Sequence, residues 1–344
     1  MEKISLIFGG DIGPLRSEVT NMFGELTPII KGADIAVANL EFALIDGGQP
    51  VRGKIYPHKA PTSILPALAD AGFDAFNLAN NHMLDYGPEA LVNTLDLLDG
   101  AGIGRFGAGY DLGEASKPLI IERQGLRVGL LGATSTLPIG FSATEALPGV
   151  NPLKVITRYR HFRNPEEYPG TSLLVETEPM ADDLERICAD VQFLASKVDL
   201  VLVYQHWGES MNELVHSFQR AIAHAVIDVG AAGVFGGHQH VISAVEFYRG
   251  VPIIHGMGNL VFDFAAPFFT PKTRQTVVFS AKASRSGLSD CHLIACGTGV
   301  DGPVTILHPD HGEGGEILTN LRRLSEPLGC ELTANDDRIR LTPL

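Results

Sequence analysis

The chain has 344 residues, 45% of them hydrophobic, enough for one large α/β domain or two ordinary ones, with no need of staples. A formal charge of −14 and a pI near 5.3 exclude the clustered Lys and Arg surface that nucleic acid or an anionic membrane requires. The four cysteines show no Cys-x-x-Cys spacing, so neither a disulfide framework nor a zinc ribbon is expected. No segment reaches the ~18 consecutive apolar residues of a membrane span, and the amino terminus lacks a signal-peptide pattern; a cytoplasmic protein without a membrane anchor is the expectation.

Ile4–Phe8 reads as a buried strand, closed by Gly9–Gly10 and presenting Asp11 at its carboxyl end. Asp34–Glu41 repeats the pattern, an apolar strand ending in Asn39 and Glu41. A Gly- and Pro-rich loop from Ala43 to Lys59 carries Arg52, Lys54, His58 and Lys59, either as a solvated surface loop or as a basic rim for an anionic substrate. Thr62 or Ser63 can cap a helix that Gly72 ends, and Asp74–Ala79 is a further strand followed at once by Asn80, Asn81 and His82. Pro88 starts a helix whose Leu91, Leu95 and Leu98 stripe closes at Gly100. Gly107–Gly109 reads as a turn, and Leu119–Ile121 with Arg127–Leu131 as a hairpin or adjacent strands.

From Gly140 to Pro169 the sequence is irregular and carries Lys154, Arg158, Arg160 and Arg163, an insertion that is either a lid over the site or a surface loop. Met180–Ser196 has helical spacing, and Leu200–Tyr204 is a strand ending in Gln205–His206–Trp207–Gly208–Glu209. Met211–Val229 reads as a helix with His216 and His224 outside any site. The run Val234–Phe235–Gly236–Gly237–His238–Gln239–His240 reads as a buried strand delivering two imidazoles, with the glycines bending the backbone so that both rings converge. Pro252–Ile254 is a strand ending in His255 and the turn before Asn259. Thr276–Ala283, Cys291–Ala295 and Val304–Leu307 read as antiparallel strands with Asp301–Gly302 as a turn signal. A tail after Pro309 holds an acidic glycine loop, a helix near Leu318–Leu324 and an extended end. One domain over residues 1–310, with 311–344 packed on it, is the expected organisation.

Strands alternate with helices, and each strand finishes in polar residues, so these side chains should meet beyond the carboxyl ends of a sheet. Asp, Glu, Asn and His form the donor set of a mixed nitrogen and oxygen metal centre, with Asp11, Glu41, Asn81, His206, His238 and His240 as candidate ligands. The alternative is a collection of caps and hydrogen-bonded core polars. So many protein ligands exceed the three or four of a single catalytic ion and suit two divalent ions, of Mn, Fe, Zn, Ni or Co, that share a carboxylate.

Gly236–His240 resembles the Gly-His-x-His motif of the calcineurin-like metallophosphoesterase superfamily, and Asn81–His82 its Asn-His pair. More narrowly, Asn39–Glu41, Leu78–Gly87, Gly107–Gly109, His206–Glu209 and Gly258–Asn259 resemble the bacterial CapA family of poly-γ-glutamate capsule biosynthesis, over roughly residues 4 to 264. The resemblance implies a central β-sandwich flanked by helices, a four-layer α/β/β/α fold. It implies that Asp11 holds one metal, that Glu41 bridges, that Asn81, His206 and His238 hold the second, and that His240 returns to the first. His82 would then be the general acid or a transition-state donor, oriented by Asp85 with its pKa raised by that pairing. Asn39, Asn80, Lys59, Trp207, Glu209, His255 and Asn259 would face the substrate.

The chain departs from these patterns in four places. Asp11–Ile12–Gly13 stands in place of the superfamily's Asp-x-His and Glu41 in place of its bridging Asp, while Gly237–His238–Gln239–His240 and His255–Gly256–Met257–Gly258–Asn259–Leu260 stand in place of the CapA-like Gly-His-His-Pro-His and Tyr-Ser-Leu-Gly-Asn-Phe. His255 is thereby a substitute ligand or a substrate contact. The expected function is a metal-dependent hydrolase of an anionic small-molecule, peptide or polymer substrate, cutting a γ-glutamyl or other peptide-like amide, or a phosphoester. A non-catalytic accessory subunit that binds poly-γ-glutamate or another acidic polymer is the alternative. Arg16, Lys54, Lys59 and Arg158 are the basic candidates for the substrate's anionic groups.

Overall fold

The computed structural model describes residues 3–16, 21–263, 270–299 and 302–344. Two sheets dominate. In the first, strands lie side by side in the order Cys330–Asn335, Arg338–Pro343, Gly287–Gly297, Gln275–Ser284, Ile4–Gly13, Ile35–Leu40, Ala75–Asn77 and Gly104–Phe106. In the second the order is Val245–Tyr248, Val251–Ile254, Ala231–Gly237, Leu200–His206, Leu126–Thr134 and Leu119–Arg123. Neighbours are parallel from Ile4–Gly13 through Gly104–Phe106 and from Leu126–Thr134 through Val251–Ile254.

Period-two alternation explains how the sheets stack. Ile4, Leu6 and Phe8 join a core shared with Leu202, Tyr204 and Phe235 of the second sheet, and Phe8 stacks on Phe235 with ring centroids 3.9 Å apart. The alternate residues Ile7, Ala36, Ala38 and Leu40 face a second core with Leu68, Leu91, Leu95 and Leu98 of helices Leu65–Ala71 and Pro88–Gly100. Val201, Val203 and Val234 face a third core with Ile187, Val191, Ile222 and Val226 of helices Ala181–Ala195 and Ser217–Asp228. Two sheets therefore pack face to face with helices on their outer surfaces, in an α/β architecture.

Several boundaries differ from the sequence reading. The C-terminal segment does not merely pack on the domain. Its helix runs Gly312–Ser325, with the glycine loop as its first turn, and its last hairpin extends the first sheet through the pairing His292↔Arg340. The helix expected from Met211 begins at Ser217, because residues before it form a loop tied by Asn212 and Gln239. The irregular 140–170 segment contains the strand Val155–His161, which pairs with Leu173–Pro179. That hairpin leans on helix Ser217–Asp228 through Ser217 Oγ, which donates to the Thr177 carbonyl at 2.7 Å. Its basic side chains are matched across strands, Arg158 with Glu178 and Arg160 with Glu176. Asp301 of the expected Asp301–Gly302 turn lies outside the described residues.

Candidate functional site

The alternation that builds the inter-sheet core also aims the strand-end polar residues. Asn39 follows Val37 on the inward face, Asn77 follows Ala75, His206 follows Leu202 and Tyr204, and Gly237 follows Phe235. Asp11 breaks the alternation of its own strand. Register shifts on both sides of it turn its carboxylate inward. Asp11 Oδ1 accepts from Asn39 Nδ2 at 2.9 Å and Oδ2 from the His238 amide at 2.9 Å, so the two sheets are pinned at their carboxyl ends. Asn77 Nδ2 in turn donates to Asn39 Oδ1 at 2.8 Å, and Asn80 Nδ2 to the Leu40 carbonyl at 2.9 Å.

Glu41 lies at the centre. Its Oε1 is 3.7 Å from His206 Nε2, 3.7 Å from His240 Nε2 and 3.8 Å from His82 Nε2, each too long for a hydrogen bond. His206 Nε2 is 2.7 Å from Asn81 Oδ1, and its Nδ1 is 3.9 Å from Asp11 Oδ1. His240 Nδ1 lies 2.9 Å from Asn259 Oδ1, whose amide donates to the Thr273 carbonyl at 3.0 Å. Glu41, His238 and His240 each offer a donor atom, and these atoms lie within 4.8 Å of one another. Both Glu41 oxygens and His238 Nδ1 are buried without a hydrogen-bond partner among the described residues. An unpartnered buried carboxylate beside imidazole nitrogens suits a cation.

The glycines before the histidines act differently from the sequence reading. Gly236 and Gly237 belong to the strand, and the turn is made by His238 and His240 themselves, at φ 87° and 55°. The glycines serve close approach instead. A Cβ on Gly236 would lie 2.1 Å from the His255 carbonyl oxygen, and one on Gly237 would lie 2.5 Å from Asp11 Oδ1. Left-handed backbone at two non-glycine residues costs free energy and persists where the surroundings over-determine it, a pattern concentrated at functional sites.

Burial governs the electrostatics. It raises Asp11 to about 7 despite the hydrogen bonds from the His238 amide and Asn39, and it raises Glu41 well above the ordinary carboxyl range, with neighbouring Asp11 adding to the effect. His206 and His238 are held well below their ordinary value by burial and by the other imidazoles. His82 does sit on Asp85, with Nδ1 2.6 Å from Oδ2, but the expected upward shift is reversed: burial first, then Lys54, His58 and His240, hold it well below its ordinary value.

A cavity of about 940 Å³ opens above the cluster, with Asn81, His82, His238 and His240 at its floor. Several residues expected to face substrate are placed elsewhere. His255 alternates with Ile253 toward the outer helices, where its Nε2 is 3.0 Å from Glu246 Oε2. Trp207 is fully buried and donates through Nε1 to the His255 carbonyl at 2.9 Å. Glu209 is exposed beside Asn212 and His216, and Lys59 donates to the Asp46 and Gly47 carbonyls over the Tyr86 ring. Asn39, Asn80 and Asn259 support the cluster from behind rather than lining the cavity. Arg16 is spent on Asp263. Lys54 lines the cavity wall but is engaged by Asp85 Oδ1 at 2.6 Å. Asn77, behind Asn39, went unrecognised because an Asn inside a strand carries no signal of its own.

A family model described as bacterial capsule synthesis protein PGA_cap matches residues 5–264. The chain belongs to this family. Every residue of the cluster falls inside the matched region, while the C-terminal helix and hairpin fall outside it. This PGA_cap chain is 27% identical to capsule biosynthesis protein CapA of Bacillus anthracis over 281 residues, 76% of this chain and 60% of that protein. It is 29% identical to a probable polyglutamine synthesis accessory protein of Mycobacterium tuberculosis, over 70% of this chain and 60% of that one. The chain thus spans about three fifths of the length of these curated relatives. A crystal structure of a hypothetical protein from Thermus thermophilus aligns with 86% of this chain and 100% of its own, at TM-score 0.50 and 15% identity, a likeness of fold alone. Among the described residues no helix is long and apolar enough to cross a membrane.

Proposed function

We propose that this PGA_cap family chain is a metallohydrolase of the calcineurin-like, four-layer type, cutting a phosphoester or peptide-like amide in an anionic substrate. The observation that carries the reading is Glu41, a fully buried carboxylate with both oxygens lacking a hydrogen-bond partner among the described residues and its Oε1 ringed by His206, His240 and His82 at 3.7–3.8 Å. Asp11, Glu41, Asn81, His206, His238 and His240 would hold two divalent ions. When bound, such ions supply a hydroxide nucleophile at neutral pH and positive charge for a developing oxyanion. The chain's own residues do the rest. Asp85 fixes the His82 ring through Nδ1, leaving Nε2 toward the cavity floor to move a proton between nucleophile and leaving group. Asn39 and the His238 amide hold Asp11 in place, and Asn259 orients His240.

Metal content by mass spectrometry, on protein purified without chelator, tests the centre. About two equivalents per chain, falling to about one in His240→Ala, supports it; one or none in the native protein after reconstitution overturns it. A screen of p-nitrophenyl phosphates against γ-glutamyl p-nitroanilide then separates the bond types. Two equivalents of metal without turnover of any substrate, together with tight binding of oligo-γ-glutamate, would instead establish an accessory binding protein; the mycobacterial relative is named a probable polyglutamine synthesis accessory protein.

A further inference from the structure

The floor and the walls of the cavity differ in chemistry. The floor is imidazole and amide, while much of the remaining lining is apolar, with Val51, Ile55, Ile139, Phe141 and Met211 beside Arg52, Lys54 and His58. Ile55 is 80% exposed and Ile139 fully exposed, two isoleucines on loops distant in sequence that line one opening. Apolar side chains left in water at the mouth of a polar floor mark a surface that a ligand covers.

Cationic groups are scarce there. Lys54 is committed to Asp85 and to the Asn81 carbonyl, which leaves Arg52 at the rim, with no ion pair among the described residues. A γ-linked polyglutamate strand carries a carboxylate on every residue, and of the two Lys and Arg side chains that line the cavity one, Lys54, is already paired with Asp85. The volume, about 940 Å³, is that of a pocket for a small molecule or a short peptide.

We propose that the substrate is a small amphipathic anion: its anionic scissile group sits on the cluster floor, and an attached aliphatic or aromatic group fills the space between Ile55 and Ile139. The proposal rests on the hydrolase reading of the floor but concerns the walls. It is therefore tested by binding rather than by turnover.

Isothermal titration of the full, metal-reconstituted chain with methylphosphonate, hexylphosphonate and phenylphosphonate reads the contribution of the apolar group at constant anionic head. At least about tenfold tighter binding of the hexyl or phenyl probe than of the methyl probe is expected, as burial of several methylenes or a ring provides. That increment should fall to about threefold or less in the double variant Ile55→Ser, Ile139→Ser, whose sites are on the surface and whose thermal melt should match the parent. Oligo-γ-glutamate should bind no tighter than methylphosphonate. Equal affinity for all three phosphonates, an increment that survives the double substitution, or oligo-γ-glutamate as the tightest ligand would each overturn the proposal. Failure of the hydrolase reading looks different: the affinity ladder would stand while no ester or amide is turned over.

Discussion

Lys54 Nζ lies 2.6 Å from Asp85 Oδ1, while Asp85 Oδ2 lies 2.6 Å from His82 Nδ1. The basic loop is thereby locked onto the carboxylate that orients the cavity histidine, and the His58 amide adds a further donor to that carboxylate at 2.8 Å. Lys54→Met should leave a buried carboxylate short of its cation and cost about 2–4 kcal/mol in urea denaturation. If His82 acts as proposed, kcat should fall about 10–100-fold with metal content unchanged, since Lys54 acts through Asp85 rather than on an ion. An unaltered kcat in a folded variant would remove Lys54 from the machinery.

Glu41→Gln separates the cost of the site from its use. The carboxylate is buried with no hydrogen-bond partner among the described residues, so without a cation it destabilises the fold. After chelator treatment the glutamine variant should be more stable than the parent by about 1–3 kcal/mol. Addition of Mn²⁺ or Zn²⁺ should raise the melting temperature of the parent and leave that of the variant nearly unchanged. A chelated variant less stable than the chelated parent would show that protein groups already satisfy Glu41.

Much of this site was legible because apolar runs mark strands and polar residues mark their ends. Asp11, Asn39, Glu41 and His206 each end an apolar run, and the runs predicted both the strands and the convergence of their ends. His255 misled for the same reason: it also ends an apolar run, but its side chain follows Ile253 outward, toward Glu246 and the helices. Parity relative to the buried face decides this, and a short run such as Pro252–Ile254, buried on both sides, does not display its parity. The Lys54–Asp85 pair and the extension of the first sheet by the C-terminal hairpin were not legible, because they join segments far apart in sequence with no local pattern linking them. The positive φ of His238 and His240 was hidden behind the preceding glycines, which looked like the bend and are instead the close-approach positions.

Gly237→Ala tests that last point. A Cβ placed 2.5 Å from Asp11 Oδ1 must displace the carboxylate, because Asp11 is fully buried and fixed by two hydrogen bonds. The expected result is a loss of about 2–4 kcal/mol of stability and weaker metal retention. The same substitution at Gly250, a turn position with nothing near its Cβ direction, should leave metal content unchanged and report only the cost of its positive φ. Equal metal retention in both variants would mean that Asp11 does not take part.

Glu246 sets an acid limit on the fold that is separate from the cluster. It is 2% exposed and meets His255 Nε2 at 3.0 Å, Arg220 Nη2 at 2.9 Å and His224 Nε2 at 2.7 Å. Burial alone would raise its carboxyl, but those hydrogen bonds together outweigh burial and carry it from the ordinary 4.5 down to about 2. A carboxyl depressed in the folded state contributes stability that is present above its unfolded value and is lost as pH falls from about 4.5 toward 2. Its contribution is on the order of 2 kcal/mol after discounting for the half-exposed Arg220. His255 works in the same direction, since burial holds it below its ordinary value even against its bond to Glu246, and acid favours the unfolded chain in which it can protonate freely. Glu246→Gln should therefore lower stability at pH 7 by about 2 kcal/mol and flatten the loss between pH 4.5 and 2. Urea midpoints measured at several pH values decide it: parallel parent and variant curves through that window would show that Glu246 does not carry the acid sensitivity.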